Sequence, residues 1–173
     1  MEMILESKGV ILRHAKIGDV KDYYKSYDKE SRKNLSVGPK SINEARSKLK
    51  GFIKEYNFPM SKRSKEFFII EVNNQVAGWI SLNEIVYKHK AYTSSFVFLE
   101  YRNLGLGTLT HNILLKYAFK KYKLVRVYSK VRSFNKASAN MLIASGYKLE
   151  GVLKKDHYDK GKYYDKYMYA KVR

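Results

Sequence analysis

The segment Leu99 to Phe119, LEYRNLGLGTLTHNILLKYAF, limits the fold more than any other stretch: two glycines turn the chain and a helix begins at once. Upstream, AYTSSFVFL carries the aromatic and β-branched content of a strand. Downstream, Leu106, Leu109, Ile113, Leu114, Tyr117 and Ala118 recur at helical spacing, with Lys116, Lys120 and Lys121 off that face or near its end. LVRVYSKV then reads as another strand. Strand, helix and strand in succession require a crossover, so the chain builds a mixed sheet covered by helices.

The remaining segments fit the same plan. GVILRHA reads as an opening strand, and IGDVKDYYKSY as a short helix with Val20, Tyr23, Tyr24 and Tyr27 at helical spacing. In SINEARSKLKGFIKEY, Ser41 and Glu44 form a capping-box pattern, and Ile42, Ala45, Leu49, Phe52 and Ile53 make an apolar stripe. EFFIIEV and QVAGWISL flank Asn73 and Asn74, which tolerate the positive φ of a hairpin turn. NKASANMLIASG reads as a helix closed by Gly146, and YKLEGVLKK and YYDKYMYAKV as two last strands joined around Gly161. No repeat or Pro/Gly-rich linker interrupts this order, so residues 1–173 are expected to form one α/β domain.

Composition narrows the chemistry. The chain has no cysteine, which excludes disulfides, thiolate metal sites and a cysteine nucleophile. MEMILESKGV lacks a basic segment followed by an apolar core, and FFII and FVFL are far too short to span a bilayer, so a cytoplasmic protein without a membrane partner is expected. Thirty-five Lys and Arg against sixteen Asp and Glu leave a formal charge of +19. Such a field draws anionic partners: nucleic acid, ribosomes, anionic lipid or a polyphosphorylated cofactor. The plainer reading is a lysine-rich surface that serves solubility.

A glycine-rich bend from strand to helix is suited to an anion, because the first helical turn has unsatisfied N–H groups and the positive end of the dipole. Gly105 and Gly107 remove side chains that would obstruct a phosphate, and Arg102 adds a charge able to fork onto its oxygens. Gly107 is followed by Thr108 and Leu109 where a Walker A loop has Lys and Ser or Thr, so nucleotide triphosphate hydrolysis is unsupported. Thr110 stands where a dinucleotide fingerprint needs its third glycine.

Arg102, Asn103, Leu104, Gly105, Leu106 and Gly107 together resemble the R/Q-x-x-G-x-G/A pyrophosphate loop of the GNAT superfamily of acyl-CoA-dependent N-acyltransferases. NKASANMLIASGYKLEG, from Asn135 to Gly151, is similar to a segment of the branch that includes the ribosomal-protein N-terminal acetyltransferases, and so is the ending DHYDKGKYYDKYMYAKV. The resemblance implies a largely antiparallel sheet of about six or seven strands flanked by about four helices. It implies acetyl-CoA as cosubstrate and no metal. The loop from Arg102 to Thr108 would wrap the pyrophosphate, while main-chain groups at Val97, Phe98 and Leu99 pair with the pantetheine arm like an added strand. Asn135 either caps the next helix or faces the cofactor.

For catalysis the resemblance points to Ser138, His157 and Glu84. Many members carry a tyrosine general acid where this chain has Leu142, whereas the branch has a hydroxyl at the position of Ser138. His157 matches the branch's carboxylate base and has a pKa near neutrality, and Glu84 is a second base acting through water. The implied reaction is direct attack of a primary amine, the N-terminus of a ribosomal or other protein, on the thioester. A small-amine or polyamine acceptor is the alternative and requires converging carboxylates, of which Glu84, Glu30 and Glu44 are the candidates. A transferase that binds the cofactor without turnover is a further reading, prompted by Leu142. From another class, the lysines and tyrosines fit a basic nucleic-acid-binding module. Ribosome or RNA association through the basic surface, and a homodimer through exposed strand edges, complete the expected partners.

Overall fold

Phe67, Phe68, Ile69 and Ile70 are all buried, which a strand permits only when both faces of its sheet are covered. In the computed structural model, which describes residues 4–27, 38–159 and 161–173, they form the centre of β3 (Glu66–Val72). β3 pairs with β2 (Val10–His14) and, through Asn73 and Asn74 at φ of 50° and 61°, with β4 (Gln75–Val86). The expected asparagine turn is therefore present.

The sheet also contains β1 (Ile4–Ser7), β5 (Lys90–Val97), β6 (Arg126–Arg132), β7 (Lys148–Asp159) and β8 (Lys162–Val172), in the order β1-β2-β3-β4-β5-β6-β8-β7. Eight strands exceed the expected six or seven because ILES, too short to signal by itself, pairs as β1 across a Lys8–Gly9 turn. Every neighbouring pair is antiparallel except β5 and β6.

Helices cover both faces, as the buried clusters show. α1 (Val20–Lys25) and α2 (Ile42–Glu55) bring Tyr23, Ala45 and Leu49 onto Phe67, Ile69 and Trp79. α3 (Leu106–Lys121) and α4 (Lys136–Ala144) bring Leu114, Ala118 and Leu142 onto Phe68, Ile70 and Ile80. Ser41 Oγ accepts from Glu44 N at 3.2 Å, so the N-cap is as expected. The Glu44 carboxylate instead accepts from Lys40 N at 2.7 Å, and Ile42 is exposed, which narrows the stripe to Ala45 and Leu49 with Phe52 and Ile53 partly buried beside them.

One fully buried carboxylate ties α3 to the sheet. Glu66 accepts from Arg63 Nη1 at 2.8 Å, Tyr122 OH at 2.7 Å and Tyr117 OH at 3.0 Å, and His14 Nε2 lies 2.7 Å from it. Burial and this carboxylate push the Tyr117 and Tyr122 hydroxyls up. Glu66→Ala leaves a guanidinium and two phenols without their acceptor. It should destabilise the fold by about 3–5 kcal/mol in urea unfolding, with Glu66→Gln losing less because an amide oxygen still accepts.

Candidate active site

β5 and β6 run together for only three registered pairs, Lys90 with Arg126, Ala91 with Val127 and Tyr92 with Tyr128. Beyond Tyr92 they part, and a cavity of about 560 Å³ opens between them. Phe98 N donates to Ala77 O at 2.9 Å, so by antiparallel alternation the main chain of Phe96 and Ser94 also serves β4. Ser95 and Val97 consequently turn their main-chain groups toward the gap.

The glycine bend closes one end. Gly105, at φ 72°, is the N-cap of α3, and Asn103 stands at φ 62°. A Cβ on Gly105 would meet nothing within 4 Å, so backbone conformation is what demands glycine there. Gly107 is different: its Cβ would lie 3.1 Å from Met141 Cγ, so its bareness lets α3 pack against α4 as well as clearing the helix start. Arg102 Nε donates to Val97 O at 2.9 Å, anchoring the guanidinium at the gap and over the Phe96 ring.

Val97, Arg102, Asn103, Gly105, Leu106, Gly107 and Thr108 all line the cavity, as do Asn135 and Ser138. Three expected residues do not. Phe98 is buried among aromatic side chains on the α1–α2 face with its N–H spent on β4, while Leu99 and Leu104 are 65% and 74% exposed. Asn135 Oδ1 accepts from Ser138 N at 3.2 Å, so it caps α4 while also bordering the cavity. Leu142 lies fully buried at its floor.

A polar trio not anticipated from sequence stands behind the same wall. Ser95 Oγ lies 3.0 Å from His111 Nε2, and His111 Nδ1 lies 3.3 Å from Tyr147 OH. Complete burial pulls the His111 pKa down to about 4. The signal for a polar lining was Thr93-Ser94-Ser95, three hydroxyls in succession in an otherwise apolar strand.

On the α1–α2 side a second cavity, of about 650 Å³, shares Tyr27, Trp79, Tyr92 and Ser94 with the first. Glu84 lines this second space. It sits where the β4–β5 register breaks between Asn83 and Val86, at φ 51°, and its carboxylate accepts from Tyr128 OH. A bulge with a left-handed residue re-aims a side chain that regular pleating would direct elsewhere. His157 lines neither cavity. The register of β7 shifts between Leu153 and His157, and the imidazole ends beside Tyr164, its pKa lowered by burial and by Arg132 and Lys166. Counting along the chain therefore does not carry His157 to the cleft. Glu44 is not among the lining residues, and Glu30 lies outside the described residues. The described residues hold no group of three or more potential metal ligands, and none of their helices is long and apolar enough to cross a membrane.

The chain matches the acetyltransferase (GNAT) domain over residues 12–168. It belongs to the GNAT acetyltransferase family. The spermidine N(1)-acetyltransferase of Escherichia coli K12 is 26% identical over 109 residues, covering 62% of this chain and 59% of that enzyme. The chain thus matches about three fifths of the length of that curated relative. Two solved structures share the fold. The acetyltransferase from Salmonella typhimurium that modifies the N-terminal serine of ribosomal protein L7/L12 superposes with a TM-score of 0.87 at 23% identity, covering 99% of both chains. RimL, a ribosomal L7/L12 alpha-N-protein acetyltransferase, in complex with coenzyme A gives 0.85 at 23% identity, covering 98% of both.

His111 yields a pH prediction. Unfolded, its imidazole takes up a proton near pH 6.5; folded, it does so only near pH 4. The unfolded state therefore binds more protons between these values, and stability is lost as pH falls through that window, by up to about 1.4 kcal/mol per pH unit. Urea unfolding at pH 7, 6, 5 and 4 should show this slope reduced in His111→Gln.

Proposed function

We propose that this GNAT protein transfers the acetyl group of acetyl-CoA to a primary amine, and that the acceptor is a protein N-terminus. The observation that carries this reading is two adjacent cavities that share four lining residues, one lined by outward main-chain groups of β5 and a helix N-terminus, the other reaching a carboxylate. The residues present suit coenzyme A: Gly105 provides an unobstructed helix start, Arg102 supplies fixed positive charge, and Ser95 and Val97 offer main-chain groups that no neighbouring strand uses to an amide-bearing arm.

Acetyl-CoA, when bound, supplies the activated thioester. The residues of the chain do the rest. Tyr27, Trp79, Tyr92 and Ser94 line both cavities, so an amine in the second lies beside the first. Holding amine and thioester together accounts for most of the rate, since the effective molarity of well-oriented groups is high. As the C–N bond forms and the C–S bond breaks, Glu84 accepts the ammonium proton through water. Leu142 has no proton to give; the second proton, shed by the nitrogen as the amide forms, passes to the departing thiolate, and Ser138, in the first turn of α4 at the cavity wall, donates a hydrogen bond to that sulfur and relays the proton.

Likeness to the ribosomal N-terminal acetyltransferases supports a protein acceptor, as does a charge of +19 that attracts ribosomes and repels free polyamines. Among the lining residues one carboxylate, Glu84, stands against Lys65, with Lys48 already paired with Glu44, which is poor ground for a polycation.

Arg102→Ala should weaken CoA binding by about 1.5–3 kcal/mol in calorimetry, the scale of a charge-assisted hydrogen bond, and Gly107→Trp should abolish it. Unchanged affinities would remove the cofactor assignment. Thiol release measured with peptides beginning in Ser or Ala and with spermidine separates the acceptors: turnover on the peptides alone is expected, and turnover on spermidine alone would reverse the reading.

A further inference from the structure

The acceptor cleft contains two opposite charges that do not neutralise each other. Glu66 pairs with Leu82, and Ile85 N donates to Ser64 O at 2.9 Å. Between these two connections, Asn83 and Glu84 together stand opposite the single residue Lys65. Lys65 immediately precedes β3, and its side chain lines the same cleft as Phe67 and Glu84. Its Nζ rests 5.2 Å from the Phe52 ring centroid.

Gly51 makes that position available. Glycine in the middle of a helix costs about 1 kcal/mol relative to alanine, and nothing in the winding of α2 calls for one. A Cβ at Gly51 would lie 3.5 Å from Lys65 Nζ, so a longer side chain there would crowd the ammonium. Among the described residues Lys65 forms no ion pair, and Glu84 is held by the Tyr128 hydroxyl. Lys48, the other cation on the cleft wall, is already occupied by Glu44 at 3.1 Å. A carboxylate and an ammonium thus face one space of about 650 Å³ while remaining more than an ion-pair distance apart.

We propose that the cleft selects amines that carry an anionic group a few bonds from the reacting nitrogen, the Lys65 ammonium holding the anion while the Glu84 carboxylate faces the amine. This rests on the amine-acetylation reading above and narrows its substrate class to zwitterionic acceptors. Each charge of the ligand meets its opposite, one just before β3 and one on β4, and the aromatic walls of Phe52, Phe67 and Trp79 reduce the screening of both contacts. A polyamine satisfies only Glu84 and is repelled by Lys65. The anion has two sources: a free amino acid, or an acidic second residue at a peptide N-terminus.

Thiol release from acetyl-CoA with matched acceptors tests this. The pairs are glycine against glycinamide, and C-terminally amidated Ser-Asp-Ala-Ala against Ser-Asn-Ala-Ala. The anionic member of at least one pair should be preferred about tenfold in kcat/KM, the size of one charge-assisted contact, and the pair that responds names the source. Lys65→Met should reduce the preference to about twofold or less by raising KM for the anionic member, and Lys65→Arg should retain it. Equal rates within both pairs, or a preference that survives Lys65→Met, would overturn the inference and leave acetyl transfer standing. No transfer to any amine would overturn both.

Discussion

The site depends on where a parallel pair of strands stops being paired. β5 and β6 share three registered positions and then part, and the first turns of α3 and α4 border the gap. A parallel pair that continued would have consumed the main-chain groups of Ser95 and Val97. Instead these groups border the cavity that the glycine bend closes, and the sheet becomes a receptor at its own centre. The Glu66 cluster acts at the other end of the same helix: by fixing Tyr117 and Tyr122 to β3, it sets where the first turn of α3 points.

Much of this was legible in the sequence because the signals were local. The Asn73–Asn74 turn, the Ser41 cap, the strand-to-helix bend at Gly105 and the Asn135 cap each depend on a few adjacent residues, and each is present. Neighbour order was not legible: β8 lies between β6 and β7, a pairing across distant chain that no local pattern specifies. β1 was missed because its pairing with β2, and not its composition, makes it a strand.

Residue-by-residue transfer of site positions failed where the backbone departs from regular pleating. His157 follows a register shift in β7, and Phe98 faces β4 by strand parity, so counting along a motif put both near a site that neither lines. Glu84 shows the converse. Neither glycine nor asparagine, it still takes a left-handed conformation at a bulge, and that irregularity directs its carboxylate into the cleft. The second cavity was the least readable part, since α2, β3 and β4 each contribute residues whose proximity only the tertiary arrangement creates.

A sheet whose central strands part gains cohesion from a guest that bridges them. A guest that adds hydrogen bonds to Ser95 and Val97 shifts the folding balance by mass action, so heat resistance rises with guest concentration over its dissociation constant. For such a protein, durability depends in part on supply: the pool of small molecule around it adds to the chain's stability.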